Sequence, residues 1–139
     1  MPIQMKINKD LIISDTNTSL GGMNDELEKL KKVILYENAA GTLGNITLND
    51  NVENYSYIEV FFAQYQLYGT SAKIKLSDTR NMCLTTSYLF NKVMFLDAKG
   101  ISFSGKTLKV DYNIASQLTA SVQTMNQENI KIYRVIGYK

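Results

Sequence analysis

The side chains that most often carry catalysis are scarce in this chain. It has no His and only one Cys, Cys83. These counts exclude the Ser/His/Asp and Cys/His nucleophile arrangements, the usual zinc sites and a disulfide within one chain. We interpret Cys83 as a small buried apolar residue between Met82 and Leu84. The remaining catalytic option is a pair of carboxylates of the kind that hydrolyses glycosidic bonds.

Four acids in the part of the chain that reads as β structure, residues 35–139, are the candidates for such a pair: Glu59, Asp78, Asp97 and Asp111. Glu59 and Asp111 occupy outward positions of alternating strands, and Asp78 and Asp97 lie in segments that read as turns, where Asp is common. No Gly-rich phosphate loop and no 12-residue calcium loop is present. We therefore predict a protein that is not an enzyme, with no catalytic residue, no metal site and no cofactor.

Tyrosine is the most suggestive residue type, with nine copies. A Tyr ring offers a flat apolar face that stacks on a sugar ring, and its hydroxyl forms hydrogen bonds with the same ligand. Tyr55, Tyr57, Tyr65 and Tyr68 cluster around one strand and the loop after it, and we predict them as ligand-binding residues. The alternative is that they are half-buried packing or subunit contacts.

The charge distribution argues against two classes of partner. The net charge is +2, and the one tight basic group, at Lys29, Lys31 and Lys32, faces acids at positions 25–28. Nucleic-acid binding needs a clustered basic stripe, and a membrane span needs about 18 apolar residues. Because the chain has neither, we predict no nucleic-acid partner and no membrane insertion.

An apolar stripe near the start of the chain has the period of a helix. Leu20, Met23, Leu27, Leu30 and Ile34 are spaced 3, 4, 3 and 4 residues apart. This spacing predicts a short helix over residues 23–34, after an extended linker over residues 1–22. Such a helix is too short to be stable alone, so it packs either on its own sheet or against other copies in a coiled coil. We favour the coiled coil, and the pattern permits a trimer.

Residues 35–139 read as β structure almost throughout. Short runs rich in Val, Ile, Thr, Tyr and Phe alternate with Gly, Asn, Asp and Ser clusters, and Ser104-Gly105-Lys106 has the composition of a tight hairpin turn. Strands at a spacing near ten residues, without intervening helices, are typical of an antiparallel β-sandwich or a jelly roll. We predict a mainly β head of this kind, preceded by the short helix.

Several segments resemble the C-terminal head domains of tail-fibre and baseplate proteins from phages and prophages of Gram-positive bacteria. They are Leu27-Glu28-Lys29-Leu30, Ile34-Leu35-Tyr36-Glu37-Asn38, 41–48, Tyr57-Ile58-Glu59-Val60-Phe61-Phe62 and 130–139. They lie in the region from about Met23 to residue 139, so the resemblance covers roughly four-fifths of the chain. They are packing and turn motifs, so they transfer no binding role to a named position.

The resemblance implies a function and an assembly. In that family a short helix leads into a β-sandwich head, the assembly is a homotrimer, and the head contacts the host surface, often a saccharide. It implies a virion protein made in the cytoplasm of the host bacterium. Its partners would be copies of itself, other tail or baseplate proteins and a bacterial cell-surface glycan. The alternatives are a structural tail adaptor without a ligand and a depolymerase that uses two carboxylates.

Overall fold

The computed structural model describes residues 12–13, 18–19, 22, 31–64, 67–118, 123–125 and 128–139, and for residues 12–13, 18–19, 67–68 and 123–125 it describes the backbone alone. Eleven strands are present in these ranges. They are β1 (Ile12–Ile13), β2 (Thr18–Ser19), β3 (Lys32–Thr42), β4 (Ile46–Thr47), β5 (Tyr57–Gln64), β6 (Leu67–Lys75), β7 (Asn81–Phe90), β8 (Val93–Ser104), β9 (Thr107–Leu118), β10 (Gln123–Met125) and β11 (Ile130–Tyr138). A single turn of 3-10 helix, Val52–Asn54, is capped by the Asn51 side chain.

The strands form two main antiparallel sheets. The first has the order β3-β11-β5-β6, and the second has the order β10-β9-β8-β7, with β4 paired to the other end of β9. Two short strands, β1 and β2, pair with each other. The molecule is therefore mainly β and antiparallel, as the sequence predicts.

The inner faces of the two sheets contribute to a single hydrophobic core. Alternation explains which residues belong to it, because Ile58, Val60 and Phe62 of β5 and Met82 and Leu84 of β7 are buried, while the residues between them are more exposed. The fully buried core side chains include Leu35 and Ile58 from the first sheet and Leu84, Ile101 and Leu108 from the second. Two sheets around one core are consistent with the predicted β-sandwich. The strand order differs from a jelly roll, because β7, β8 and β9 are sequential neighbours in one sheet and do not cross between sheets.

The end of the predicted helix over residues 23–34 is wrong. Residues 32–34 belong to β3, which pairs with β11, and Ile34 lies about half exposed on the outer face of that sheet. The β-branched pair Val33 and Ile34 favours a strand, and the register with β11 overrides the helical spacing. The other predicted stripe residues, Leu20, Met23, Leu27 and Leu30, lie outside the described residues.

A polar layer closes the core where β8 continues beyond it. The Lys99 side chain is 0% exposed and its ammonium donates to the Leu43 carbonyl. Asp97 is also buried, and its Oδ2 accepts from Asn129 Nδ2 at 3.2 Å. Burial lowers the pKa of Lys99 and raises the pKa of Asp97. The sequence predicts a turn around Asp97, and this prediction is wrong, because both side chains find polar partners inside an unbroken strand.

No helix in the parts of the chain that the structure describes is long and apolar enough to cross a membrane.

Candidate functional site

An open groove lies on the outer face of the β3-β11-β5-β6 sheet. It has a volume of about 250 Å³ and is lined by Glu37, Asn38, Ala39, Phe61, Tyr133 and Arg134. A second depression of about 330 Å³ shares Ala39 and Tyr133 with it and continues toward Ala63 and Gly69. Both volumes are at or near the lower end of the range for ligand pockets. Ala39 and Tyr133 therefore line both depressions, and Tyr133 is the aromatic residue of the two.

A β-bulge in β11 places two consecutive side chains beside each other in this groove. The register shifts between Ile132 and Arg134 against both neighbouring strands. Ile132 and Val135 are both fully buried, so Tyr133 and Arg134, which lie between them, both face outward. In a regular strand one of the two would point into the core. Bulges commonly re-aim side chains in this way next to functional sites.

One wall of the groove is a bulged segment of β3, residues 38–41. Its shape is held by the Asn38 side chain, whose Oδ1 accepts from Ala40 N at 3.0 Å and whose Nδ2 donates to Thr42 Oγ1 at 3.2 Å. Gly41 has φ +70°, and a Cβ at this position would lie 2.9 Å from the Tyr133 ring. The wall thus packs tightly beside Tyr133 because position 41 is glycine.

An ion pair between β11 and β3 forms the charged end of the groove. Arg134 and Glu37 are register partners, and Arg134 Nε donates to Glu37 Oε1 at 2.8 Å, with a second bond from Nη2 to the same oxygen. Both side chains are about half exposed, so the pair contributes little to stability. Because both bonds use Oε1, the other carboxylate oxygen of Glu37 and Nη1 of Arg134 remain available for a ligand.

These groups together suit one class of ligand. The rings of Phe61 and Tyr133 supply apolar faces, and the Arg134–Glu37 pair with the Asn38 side chain supplies donors and acceptors at the groove margin. A polar ring with an apolar face, such as a sugar, matches that combination.

No protein-family model matches the chain, and no curated protein matches it. The function is therefore inferred from the chemistry of the groove and from the resemblance of the sequence segments, which stays a prediction.

A second polar cluster occupies the other end of the same sheet face. Tyr138 donates to Glu59 Oε2 at 2.5 Å, and Ser71 donates to Glu59 Oε1 at 2.7 Å. These two bonds lower the pKa of Glu59. The Lys73 ammonium lies 3.8 Å from the Tyr138 ring centroid and 5.2 Å from that of Tyr57. The polar groups of this cluster interact with one another, and the cluster is therefore a weaker candidate for a ligand site than the groove.

The four predicted ligand-binding tyrosines do not form one described site. Tyr55 is 7% exposed in the core, and its hydroxyl donates to Asp50 Oδ2 at 2.8 Å, so for this residue the prediction is wrong. Tyr57 is exposed on the outer face beside Lys73, four residues and about 13 Å along β5 from the groove residue Phe61. Tyr65 lies outside the described residues. Tyr68 belongs to β6, but its side chain is also outside them.

The four candidate carboxylates lie on different surfaces. Glu59 is on the outer face of the first sheet, Asp78 is in the exposed turn between β6 and β7, Asp97 is buried between the sheets, and Asp111 is exposed on β9. No two of them share a cleft in the parts of the chain that are described. Among those same residues, no group of three or more His, Cys, Asp or Glu could hold a metal ion.

Cys83 is exposed, so its predicted burial is wrong. Met82 and Leu84 point into the core, and the residue between them must therefore point outward. Tyr133 and Arg134 are not among the site residues predicted from the sequence. Their signal is the apolar pattern of β11, in which Ile130 and Ile132 alternate but the next core residue is Val135. That break in the period marks the bulge.

Proposed function

We propose that the protein is a non-enzymatic structural protein of a phage tail or baseplate. In this proposal its β-sandwich head attaches the virion to a saccharide on the surface of a Gram-positive host. The saccharide binds in the groove defined above. The protein is located in the virion, after synthesis in the host cytoplasm, and acts together with other tail or baseplate proteins.

The observation that carries the proposal is the placement of Tyr133 and Arg134 side by side by the β11 bulge. The Tyr133 ring stacks on one face of a sugar ring, and Phe61 extends the apolar floor. Sugar hydroxyls bind to Arg134 and to the free oxygen of Glu37. An open groove of this size binds one or two sugar units weakly.

Weak sites become useful in an assembly of identical subunits. We propose that the protein acts as a homotrimer, so that three grooves face the same glycan-coated surface. Linked sites bind at a high effective concentration and exceed single-site affinity by roughly 10²–10⁴ when their geometry allows simultaneous contact.

The test is binding of the full chain to an array of bacterial surface saccharides, followed by calorimetric titration with the best saccharide found. We expect Tyr133→Ala to weaken saccharide binding at least tenfold, because the stacking of the Tyr133 ring on the sugar and the hydrogen bonds of its hydroxyl are both lost. Arg134→Ala should weaken binding severalfold.

Tyr57→Ala compares the groove with the tyrosine site predicted from the sequence, because Tyr57 is an exposed tyrosine on the same sheet face outside the groove. Its affinity should equal that of the wild type. An array without any bound saccharide would contradict the receptor-binding proposal and leave the structural adaptor as the better description. Equal losses for Tyr57→Ala and Tyr133→Ala would contradict the groove as the site.

A further inference from the structure

The outer face of the second sheet is apolar and exposed over the half that is distant from the core. Three rows of register partners cross β7, β8 and β9 there. They are Leu89–Met94–Leu118, Ser87–Leu96–Ser116 and Thr85–Ala98–Ile114. The five large apolar side chains among them, at positions 89, 94, 96, 114 and 118, are 38–70% exposed. We call these five residues the distal apolar face.

No charged residue interrupts this face. All nine positions in the three rows are apolar, Ser or Thr. The outer face of the first sheet is different, since it carries the Arg134–Glu37 pair and the Lys73 and Glu59 side chains. A sheet face in contact with water normally carries polar and charged side chains, as the outer face of the first sheet does.

The sequence of the hairpin itself has the pattern of a strand that is covered on both sides. Tyr88, Leu89 and Phe90 are consecutive apolar residues, and so are residues 93–96 across the turn. Continuous apolar runs are typical of strands buried on both faces, whereas a sheet with one wet face shows alternation. On the inner face, Tyr88 and Phe95 stack with ring centroids 4.8 Å apart. The outer face has the same apolar character but stays exposed.

The edge of this sheet has no protection against pairing. Strand β7 pairs only with β8 among the described strands, over ten residues and without a register shift. Residues 81–90 contain no charge and no Pro. Natural edge strands usually carry Lys, Pro or a bulge that prevents association with another chain.

The area of the distal apolar face fits a subunit contact. Five large side chains exposed by roughly half each leave on the order of 400–500 Å² of apolar surface. A standard interface buries about 800 Å² per partner, of which roughly 60% is apolar. The face therefore supplies about the apolar area that one side of a stable interface needs.

We propose that the distal apolar face packs against a second copy of this chain. An uncharged face can meet a copy of itself without opposing like charges, whereas a charged face needs a complementary partner. The contact goes beyond the proposed function, because it would form whether or not the groove binds a saccharide. It also differs from the predicted coiled-coil stripe, whose residues Leu20, Met23, Leu27 and Leu30 lie outside the described residues and from which Ile34 is excluded by its place in β3.

The test is the mass of the full chain in solution, measured by sedimentation equilibrium over a range of concentrations. We expect the wild type to self-associate. Met94→Lys places a charge in the middle of the central row, and we expect it to raise the dissociation constant at least tenfold. Met94 is half exposed in one subunit, so the variant should fold, and its circular dichroism and urea unfolding check this point.

Ile34→Lys is the matched control, because Ile34 is about equally exposed on the outer face of the other sheet. It should keep the mass of the wild type. A monomeric wild type would overturn the proposal, including the case of a monomer that binds lipid vesicles through this face. A folded Met94→Lys variant with the mass of the wild-type assembly would overturn it as well. Loss of saccharide binding by Tyr133→Ala at unchanged mass would separate the two proposals.

Discussion

Tyrosine has at least three roles in this molecule, and its residue type does not distinguish them. Tyr55 is a core residue that packs over Gly137, where a Cβ would lie 2.5 Å from its ring. Tyr138 belongs to a bonded surface cluster, and Tyr133 lines the groove. A sequence shows that such side chains are present, but the difference depends on which face each one occupies. That face changes where a bulge shifts the period.

The buried position of Tyr55 leads to a dependence of stability on alkaline pH. Burial and the hydrogen bond to Asp50 raise the pKa of Tyr55 from 10.0 to about 12. Below pH 10 the phenol is neutral in both states and the full stability is present. Between about pH 10 and 12 only the unfolded state ionises, so the free energy of unfolding falls as pH rises, by up to roughly 2–3 kcal/mol.

Urea unfolding at intervals from about pH 8 to 12 measures this effect. Tyr55→Phe lowers stability at pH 8 because it removes the bond to Asp50, but its stability should decline less steeply above pH 10. The difference between the two proteins should therefore shrink as pH rises. Parallel curves for the two proteins would show that the Tyr55 phenol does not keep its proton in the folded state.

At the scale of elements, a hairpin can be predicted from the sequence when its turn contains residue types that are typical of turns. Ser104-Gly105-Lys106 is confirmed as the β8–β9 turn, with Gly105 at φ +56°. The β7–β8 turn was missed, because Asn91 and Lys92 form it at φ 50° and 65°. A lysine at positive φ is uncommon, so the run from 88 to 96 reads as one continuous strand. The polar layer around Lys99 is not predictable from the sequence either, because the partners of Lys99 and Asp97 come from distant parts of the chain.

The two turns allow opposite substitutions with opposite effects. Lys92→Gly should raise the free energy of unfolding by about 0.5–1 kcal/mol, because glycine adopts a positive φ without the steric cost of a Cβ. Gly105→Ala should lower it by about 1 kcal/mol, since nothing lies within 4 Å of the added Cβ and only the backbone is strained. Chemical denaturation of both variants beside the wild type provides the measurement. Loss of stability in Lys92→Gly would contradict the expected role of the turn.

At the scale of the whole molecule, the core supports only part of the second sheet. The buried apolar residues of β7 and β8 are Met82, Leu84, Ile101 and Phe103, which lie in one half of the sheet, and the other half extends beyond them. The sequence predicts a β head and an assembly, and the first of these is confirmed. The sequence does not show which face of the sheet remains exposed in one subunit. An apolar run has the same pattern whether its second face is buried by the same chain or by another subunit.

This division predicts how hydrogen exchange should vary along the second sheet. In an isolated subunit, the amides of Tyr88 and of residues 94–96, which lie inside the β7-β8-β9 ladder, open without global unfolding, because few buried contacts hold them. A second copy packed on the distal apolar face would slow this local opening. In the wild type at assembling concentrations, we expect these amides to approach the protection of Met82 and Leu84.

The folded Met94→Lys variant should lose that protection by at least about tenfold in the distal half alone, with the core half unchanged. Dilution of the wild type should produce the same local loss, because dilution removes the second copy and alters no side chain. If the distal amides exchange at the same rate in concentrated wild type, dilute wild type and the variant, the second sheet is held by its own subunit. The distal apolar face would then be no subunit contact.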